Sequence, residues 1–235
     1  MNSVTVIVPT LNESENIDIL LGRLLAVKST QKIDFEILFV DSASTDNTCD
    51  CVKKWHEPAG VELLSLDKNV GLAGAVIAAV QKAETTFILV MDADLSHPPE
   101  AIPDLLRPLF ENTHDMVIGS RYIVGGSTPD WPLSRRISSK IATIPALFFC
   151  DVHDPLAGFF AVQRQRLLEL SGTVPGFKIG LAVLAEYGKE LRVKEIPIEF
   201  SDRDFGESKM NRGVAFDYLK QLVILSTKRL RKRQT

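Results

Sequence analysis

Long apolar runs and cysteine are both scarce in this 235-residue chain. No apolar stretch approaches the ~20 residues that a membrane-spanning helix needs, so any membrane contact is expected to be peripheral. The N-terminal residues lack the basic start and apolar core of a signal peptide. The three cysteines are an odd number, and Cys49 and Cys51 lie too close in sequence for a disulfide framework. The sequence therefore predicts a cytoplasmic protein.

An excess of positive charge and the common nucleotide-binding motifs are also missing. The formal net charge is -3, whereas a nucleic-acid-binding protein needs surplus lysine and arginine against phosphates, so nucleic acid is not an expected partner. No G-x-G-x-x-G follows the first predicted strand and no G-x-x-x-x-G-K-[ST] occurs, which argues against a Rossmann dinucleotide site and a P-loop. G-x-S-x-G is absent too, and the four histidines show no zinc-like spacing.

The first half of the chain alternates short apolar runs with amphipathic stretches. This alternation predicts an α/β fold in which helices flank a doubly wound, mostly parallel sheet. Ser44 is the predicted N-cap of the helix after the second strand. The predicted strands are residues 4–8, 35–40, 61–66, 87–91 and 116–119.

The second half is less regular and ends in a basic segment. We predict helices at 133–149, 177–187 and 214–231, strands at 159–162 and 191–200, and a polar loop at 201–211. Residues 208–235 contain eight basic residues and one acid. The predicted organisation is a domain at 1–210 followed by a basic amphipathic helix within 211–235. Helices of this kind can dock on a protein core or lie at a bilayer interface, and the second interpretation is favoured for 133–149 and for the C-terminal helix.

Polar clusters follow four of the predicted strands, where ligands bind in open α/β sheets. The most informative is Asp92-Ala93-Asp94, directly after the most apolar strand. Two carboxylates at a partly buried edge repel each other unless a cation lies between them, and such oxygen ligands suit Mg²⁺ or Mn²⁺ with a substrate diphosphate. Ser96 is a third candidate ligand, whereas His97 fits a structural loop residue better.

A single D-x-D pair is weak support for a metal site. The chain has a second pair, Asp202 and Asp204, and loop polarity or helix capping explains any one cluster equally well. The succession of four clusters is what favours function.

Five motifs point to a known family. They are V-P-T-L-N-E at 8–13, D-A-D-L-S-H-P at 92–98, G-S-R-Y at 119–122, D-P-L-A-G-F at 154–159 and G-E-S-K at 206–209. In these motifs the chain resembles the family 2 glycosyltransferases of GT-A fold, and among them the dolichol-phosphate (polyprenyl-phosphate) mannose synthases.

The resemblance implies a nucleotide-sugar donor, a polyprenyl phosphate acceptor and Mg²⁺ or Mn²⁺. Asp92, Asp94 and Arg121 would be the catalytic residues. The donor would contact Pro9, Leu11, Glu13, Val40, Asp41, Asp92, Ala93, Asp94, Arg121, Arg203 and Lys209. The metal would be held by Asp92, Asp94 and Ser96, and the acceptor phosphate by Arg121, Arg135 and Ser139.

Three positions depart from the usual pattern of this family. Leu11 stands where tyrosine is usual, which removes an aromatic contact near the base and weakens inference about base identity. Ser42 stands where many members have a second aspartate, so a hydrogen bond to the nucleoside is lost. Ser96 stands where some members have glutamine, but serine occurs there as well.

The expected reaction is inverting, metal-dependent transfer of a hexose, mannose from GDP-mannose, to a polyprenyl or dolichyl phosphate at the cytoplasmic membrane face. An anionic phosphate acceptor needs no general base, in agreement with the lack of an obvious catalytic histidine. Two alternatives stay open. One keeps the enzyme class but changes the donor to UDP-glucose or UDP-N-acetylglucosamine, or the acceptor to a soluble glycan. The other is an inactive nucleotide-binding subunit of a membrane complex, and a separate membrane-anchoring subunit is an open partner for the enzyme too.

Overall fold

A computed structural model describes residues 2–170, 177–202 and 212–232 of the chain. Arg203 and Lys209, the predicted clamp on the donor diphosphate, lie outside the described residues, as does most of the predicted loop at 201–211. The strands are β1 (Val4–Thr10), β2 (Glu36–Asp41), β3 (Val61–Ser65), β4 (Phe87–Val90), β5 (Met116–Ser120), β6 (Phe160–Gln163) and β7 (Val193–Pro197). The helices are α1 (Ser14–Gln31), α2 (Thr48–Lys53), α3 (His56–Ala59), α4 (Gly71–Lys82), α5 (Ile102–Phe110), α6 (Leu133–Thr143), α7 (Arg164–Leu168), α8 (Ile179–Tyr187) and α9 (Arg212–Lys232).

The described strands form one mixed sheet in the order β3-β2-β1-β4-β6-β5-β7. All pairs are parallel except those of β6, which runs antiparallel to both β4 and β5. The predicted mostly parallel sheet is therefore confirmed. Because β6 is reversed, the segment that precedes it lies at the same edge as the carboxyl ends of β4 and β5, which places residues 154–159 there.

Helices cover both faces of the sheet, as a doubly wound arrangement requires. On one face, α1, α2 and α5 bury apolar side chains such as Leu20, Val52 and Leu105 against the strands. On the other face, α4, α7 and α8 do the same with Val76, Leu167 and Val183. The fully buried strands β4 and β5 explain the continuous apolar runs in the sequence, since neither face of these strands meets water.

The C-terminal helix packs on α8 and on the segment after α6. Leu222 and Leu225 of α9 join Leu181 and Phe149 in a third buried cluster. The hydroxyl of Tyr218 also donates to the carbonyl of Ala142 at 2.7 Å. Of the helices in the described ranges, none is both long enough and apolar enough to cross a bilayer.

Two local predictions differ from the structure. The predicted helix at 133–149 ends as an α-helix at Thr143 and continues as the 3₁₀ segment Ile144–Phe148, because Pro145 cannot donate an α-helical hydrogen bond. Ser44 as the N-cap of α2 is wrong: α2 starts at Thr48, whose backbone N–H donates to Asp46 Oδ1 at 3.0 Å. The N-cap position is Asn47, whose side chain makes no capping bond, and Ser44 instead accepts the backbone N–H of Asn12 in the β1–α1 loop.

Candidate active site

The carboxyl ends of β1 and β4, the start of α4 and the start of α8 enclose a cleft of about 450 Å³. It is large enough for a nucleotide-sized ligand. Of the predicted donor residues, Pro9, Leu11, Glu13, Asp92, Ala93 and Asp94 line it, together with Thr10, Ser42, Asn69, Gly71, Leu72, Ala75, Phe177 and Lys178. The strand-end rule therefore brings together residues from distant parts of the sequence.

Asp92 and Asp94 follow β4 at the base of the cleft. Asp92 has a side chain 36% exposed, whereas Asp94 is buried and its Oδ1 accepts hydrogen bonds from the Ser96 hydroxyl at 2.6 Å and backbone N–H at 3.2 Å. The chain does not stay extended here, since Leu95 has φ 64°. A leucine with positive φ is strained, and such residues persist where the surrounding structure fixes them, often at functional sites.

His97 stabilises this turn through a hydrogen bond with its backbone. It is almost fully buried, and its Nδ1 accepts the backbone N–H of Asp92 at 2.9 Å. Burial lowers the pKa of His97, and this outweighs the opposing effect of Asp92 and Asp94. The ring stacks on Phe159 at 5.1 Å. His97 is thus a structural residue of this loop, as the sequence indicated.

Gly158 packs against the exposed carboxylate from the other side. A Cβ atom at this position would lie 3.4 Å from Asp92 Oδ2 and 3.3 Å from His97 Cε1. A side chain larger than glycine at this position would therefore lie in contact with the Asp92 carboxylate and the His97 ring.

Val40 and Asp41 differ from the other predicted donor residues. Both are buried, and neither is among the described residues that line the cleft. Asp41 accepts hydrogen bonds from the Thr10 hydroxyl at 3.2 Å and the Ser44 backbone N–H at 2.9 Å, and from the Ser44 hydroxyl. In this structure its carboxylate ties the end of β2 to the end of β1.

Arg121, at the end of β5, is held by a buried ion pair. Its Nε and Nη2 donate to the two carboxylate oxygens of Asp154 at 2.7 Å each, and its backbone N–H donates to the same group. Asp154 is completely buried and the arginine side chain only 11% exposed. Burial opposes the charge, but the hydrogen bonds that Arg121 donates to Asp154 raise the pKa of Arg121. The guanidinium is a fixed positive charge beside the cleft.

The three predicted acceptor residues meet around two aromatic rings. The guanidinium groups of Arg121 and Arg135 lie 5.4 Å and 4.2 Å from the Trp131 ring centroid. The hydroxyls of Ser139 and Tyr122 are 2.6 Å apart. The structure thus brings side chains of the β5–α6 loop and of α6 into one cationic, aromatic cluster, here called the arginine cluster: Arg121, Tyr122, Trp131, Arg135 and Ser139.

Trp131 was not predicted from the sequence. It is buried, and within the described part of the chain its indole Nε1 has no hydrogen-bond partner. Arg135 also forms an ion pair with Asp202 at 2.9 Å, which gives this first residue of the second D-x-D pair a structural role. A lone tryptophan in a Gly/Pro-rich loop carries no periodic signal, although its position two residues before α6 could have linked it to Arg135.

Lys178 is a further residue of the cleft that sequence reasoning does not identify, because the pattern at 177–187 predicts only a helix. Its side chain lines the cleft with Asp92 and Asp94, and its Nζ donates to the Leu156 carbonyl at 2.8 Å. Burial, and then the charge of Arg121, lower the pKa of Lys178 to about 8, against a smaller opposing effect of Asp92. A basic residue at the start of a helix that follows the D-P-L-A-G-F motif was the available signal.

Asp92 and Asp94 are the candidate metal ligands in the cleft. Within the described ranges no three His, Cys, Asp or Glu side chains come together as a metal cluster. The Asp92 and Asp94 carboxylates nonetheless fit Mg²⁺ or Mn²⁺, which accept one or two carboxylates and take other ligands from water and substrate phosphate. Ser96 bonds to Asp94 and does not line the cleft.

Comparison with known proteins defines the class. The Glycosyl transferase family 2 profile matches residues 5–186, and the chain belongs to this family. Its fold is shared with glucosyl-3-phosphoglycerate synthase from Mycobacterium tuberculosis in complex with Mn²⁺, UDP and glucosyl-3-phosphoglycerate, at a TM-score of 0.69 and 17% identity over 97% of this chain and 80% of that one. The Mg²⁺ and UDP complex of the same enzyme gives a TM-score of 0.69 at 17% identity, over 97% and 79% of the two chains. The GT-A-like fold and the family resemblance are thus confirmed.

The curated relatives are more specific. The chain is 36% identical to the dolichol-phosphate mannosyltransferase of Pyrococcus furiosus over 93% of its own length and 62% of that protein. It is 36% identical to the Mycosarcoma maydis protein of that name over 95% and 79% of the two chains, and 35% identical to the Saccharomyces cerevisiae one over 93% and 85%. The chain thus spans less than two thirds of the Pyrococcus protein.

Proposed function

We propose that this chain transfers mannose from GDP-mannose to a polyprenyl or dolichyl phosphate, with inversion at the anomeric carbon. The observation that supports this most directly is the position of the arginine cluster beside a cleft with two carboxylates. The cleft suits a metal-bound diphosphate and the cluster suits a second phosphate. The 35–36% identity to proteins named dolichol-phosphate mannosyltransferase supports this choice of donor and acceptor.

On the donor side, Asp92 and Asp94 would hold Mg²⁺ or Mn²⁺, as the neighbouring M. tuberculosis enzyme binds these ions with UDP. When bound, such an ion neutralises charge on the leaving diphosphate. Pro9, Leu11 and Glu13 line the part of the cleft beyond β1 and would face the nucleoside. Arg203 and Lys209, from the family resemblance, stay proposed diphosphate contacts.

On the acceptor side, Arg121, Arg135 and Ser139 would receive the lipid phosphate. Arginine binds phosphate through paired N–H groups, and the ion pair with Asp154 fixes the orientation of Arg121 before the substrate arrives. The indole N–H of Trp131 supports this subsite as well: it has no hydrogen-bond partner among the described residues, a buried donor in that state is costly, and a phosphate oxygen would satisfy it. The acceptor oxygen is already anionic, so no side chain needs to remove a proton.

An exposed apolar surface next to the arginine cluster supports a lipid acceptor. It is formed by α6, the 3₁₀ segment after it and α9, which pack together through Tyr218 and Leu222. Its members are between 45% and 71% exposed: Leu133, Ile137, Ile141, Ile144, Leu147, Phe148, Phe216, Leu219 and Val223. Lys140 and Lys220 lie on the same two helices. A surface of this composition fits the interface of an anionic membrane, where we propose that the protein binds peripherally.

A donor panel tests the proposal. The protein is incubated with a short polyprenyl phosphate, Mn²⁺ or Mg²⁺, and each of GDP-mannose, UDP-glucose and UDP-N-acetylglucosamine. GDP-mannose is expected to give the highest kcat/KM, and the anomeric configuration of the product, read by NMR, is expected to be inverted. A preference for a UDP-sugar would replace the donor, and transfer to a soluble glycan in place of the lipid would replace the acceptor. No transfer from any donor would favour an inactive nucleotide-binding subunit.

A further inference from the structure

Gln221 makes an unusual pair of contacts from the buried face of α9. Its Oε1 accepts the backbone N–H of Lys178 at 3.2 Å, and its Nε2 donates to the backbone carbonyl of the same residue at 2.8 Å. Gln221 is fully buried. A buried amide is costly unless both of its ends are satisfied, so this pairing fixes the side chain of Gln221 and the main chain of Lys178 together.

Lys178 is held at its other end too. It is the residue before α8, and its Nζ donates to the carbonyl of Leu156 in the turn that leads to Gly158. Among the described residues, Arg121, Asp92 and Asp154 are charged groups that act on this ammonium. Lysine is normally a flexible side chain with considerable rotamer entropy. Here the main chain and the ammonium are both restrained, and the side chain lines the cleft beside the two carboxylates.

The position of Lys178 suits phosphate binding. An ammonium has three donors, and the bond to Leu156 uses one of them. The cleft that it lines is the proposed diphosphate site, and the arginine cluster lies near it, since Arg121 bonds to Asp154 and Lys178 bonds to Leu156, two residues further along the same turn. Both substrates would bring phosphate oxygens to this place.

Resting on the proposed function, we infer that Lys178 binds a phosphate oxygen of a substrate and that Gln221 is the positioning residue that holds it there. α9 then has two roles on opposite faces. One face carries exposed apolar residues such as Phe216 and Val223, and the other fixes a cation in the cleft. The phosphate belongs either to the donor diphosphate or to the acceptor lipid, and the experiment separates these.

Three variants of the full chain test the inference. Lys178→Met removes the charge, and Gln221→Met keeps the volume of the glutamine but loses both hydrogen bonds. Leu225→Ala is the matched control, because Leu225 lies on the same buried face of α9 and packs in the third cluster, and its alkyl side chain offers no hydrogen bond to Lys178. Melting temperatures of all three show how much stability each change costs.

Kinetics with each substrate give the main readout. Lys178→Met is expected to raise KM for one substrate about 10- to 100-fold, as for loss of a hydrogen bond to a charged group. Gln221→Met is expected to raise the same KM about 3- to 10-fold and to have no further effect in the Lys178→Met background, since the two act as a unit. A change in KM for the nucleotide-sugar assigns the donor diphosphate, and a change in KM for the polyprenyl phosphate assigns the acceptor.

Binding of inorganic pyrophosphate, measured by calorimetry with Mn²⁺, separates this inference from the proposed function because no sugar transfer is needed. Weaker binding to Lys178→Met and Gln221→Met than to the unmodified protein supports the inference even if no donor is used. The inference is overturned if neither variant changes any substrate KM or pyrophosphate binding. It is also overturned if Leu225→Ala reproduces the Gln221→Met kinetics, or if the double variant shows the two losses added together.

Discussion

The cleft edge and the apolar surface on α6 and α9 differ in which side chains they bury and which they expose. At the cleft edge, charged groups such as Asp154 and Asp94 are buried and bonded within the chain. On the apolar surface, large hydrophobic side chains such as Phe148 and Phe216 are more than half exposed. Both arrangements cost stability in the isolated molecule, and each makes sense if something else binds: a charged ligand in the first case and a lipid phase in the second.

The largest effect is expected from the buried ion pair between Arg121 and Asp154. Arg121→Met leaves the Asp154 carboxylate buried without its cation, so we expect the free energy of unfolding in urea to fall by about 3–5 kcal/mol. Arg107→Met is the control, because its pair with Asp104 is exposed, and it should change the value by less than about 1 kcal/mol. Equal effects of the two substitutions would contradict the fixed-charge role of the Arg121–Asp154 pair.

The next largest effect is expected from Asp94, one of the two carboxylates in the cleft. Asp94→Asn keeps the size of the side chain and its contact with Ser96 but removes one negative charge from the cleft, and sugar transfer is expected to fall by about 10²–10³-fold. Asp104→Asn on α5 should leave the rate unchanged. Retained metal-dependent transfer in Asp94→Asn would show that the carboxylate pair does not hold the ion.

The apolar surface is tested by vesicle flotation. Phe148→Ser and Phe216→Ser each remove a large exposed ring, so binding to anionic vesicles is expected to weaken about tenfold per substitution. Ile19→Ser, an exposed apolar residue on α1 outside this surface, serves as the control. If all three variants float equally well, the surface is not the membrane contact.

The smallest effect is expected far from both regions, where Asp115 at the start of β5 accepts hydrogen bonds from Arg192 at 2.8 and 3.0 Å. Hydrogen bonds from Arg192 lower the pKa of Asp115 from 3.8 despite partial burial. The stability from this pair is therefore complete above about pH 4 and is lost as the pH falls through the lower folded-state pKa. Asp115→Asn should reduce the melting temperature by roughly 2 °C at neutral pH, and the difference from the unmodified protein should shrink in acid. A difference that does not depend on pH would mean that the charge of Asp115 plays no part.

The strand pattern and the position of the site were predictable from local sequence. Buried strands read as apolar runs, and the strand-end rule located Asp92, Asp94, Pro9 and Leu11 at one cleft. What local pattern could not supply was the partner of each side chain. Asp41 looks like a ligand residue in the sequence, but in the structure its carboxylate ties two strands together.

The missed residues follow the same logic. Lys178 reaches the cleft because α8 starts beside the turn before β6, and its main chain is fixed by Gln221, 43 residues later. Trp131 contacts Arg121 and Arg135 only after β5 and α6 have packed. Such contacts depend on tertiary structure, for which helical or strand periodicity gives no signal.

The reversed strand β6 also bears on the order in which the strands of the sheet pair during folding. Val90 of β4 pairs with Phe160 of β6, 70 residues later in the chain, and Val4 of β1 pairs with Phe87 of β4, 83 residues later, whereas the β1–β2 and β2–β3 pairs join strands that are near neighbours in sequence. Long loops close slowly, so we expect the N-terminal strands to form first and the centre of the sheet to close late. During synthesis on the ribosome, the Asp92 carboxylate would then meet Gly158 and Lys178 only near the end. A partly synthesised chain would contain Asp92 and Asp94 without the residues that complete the cleft around them.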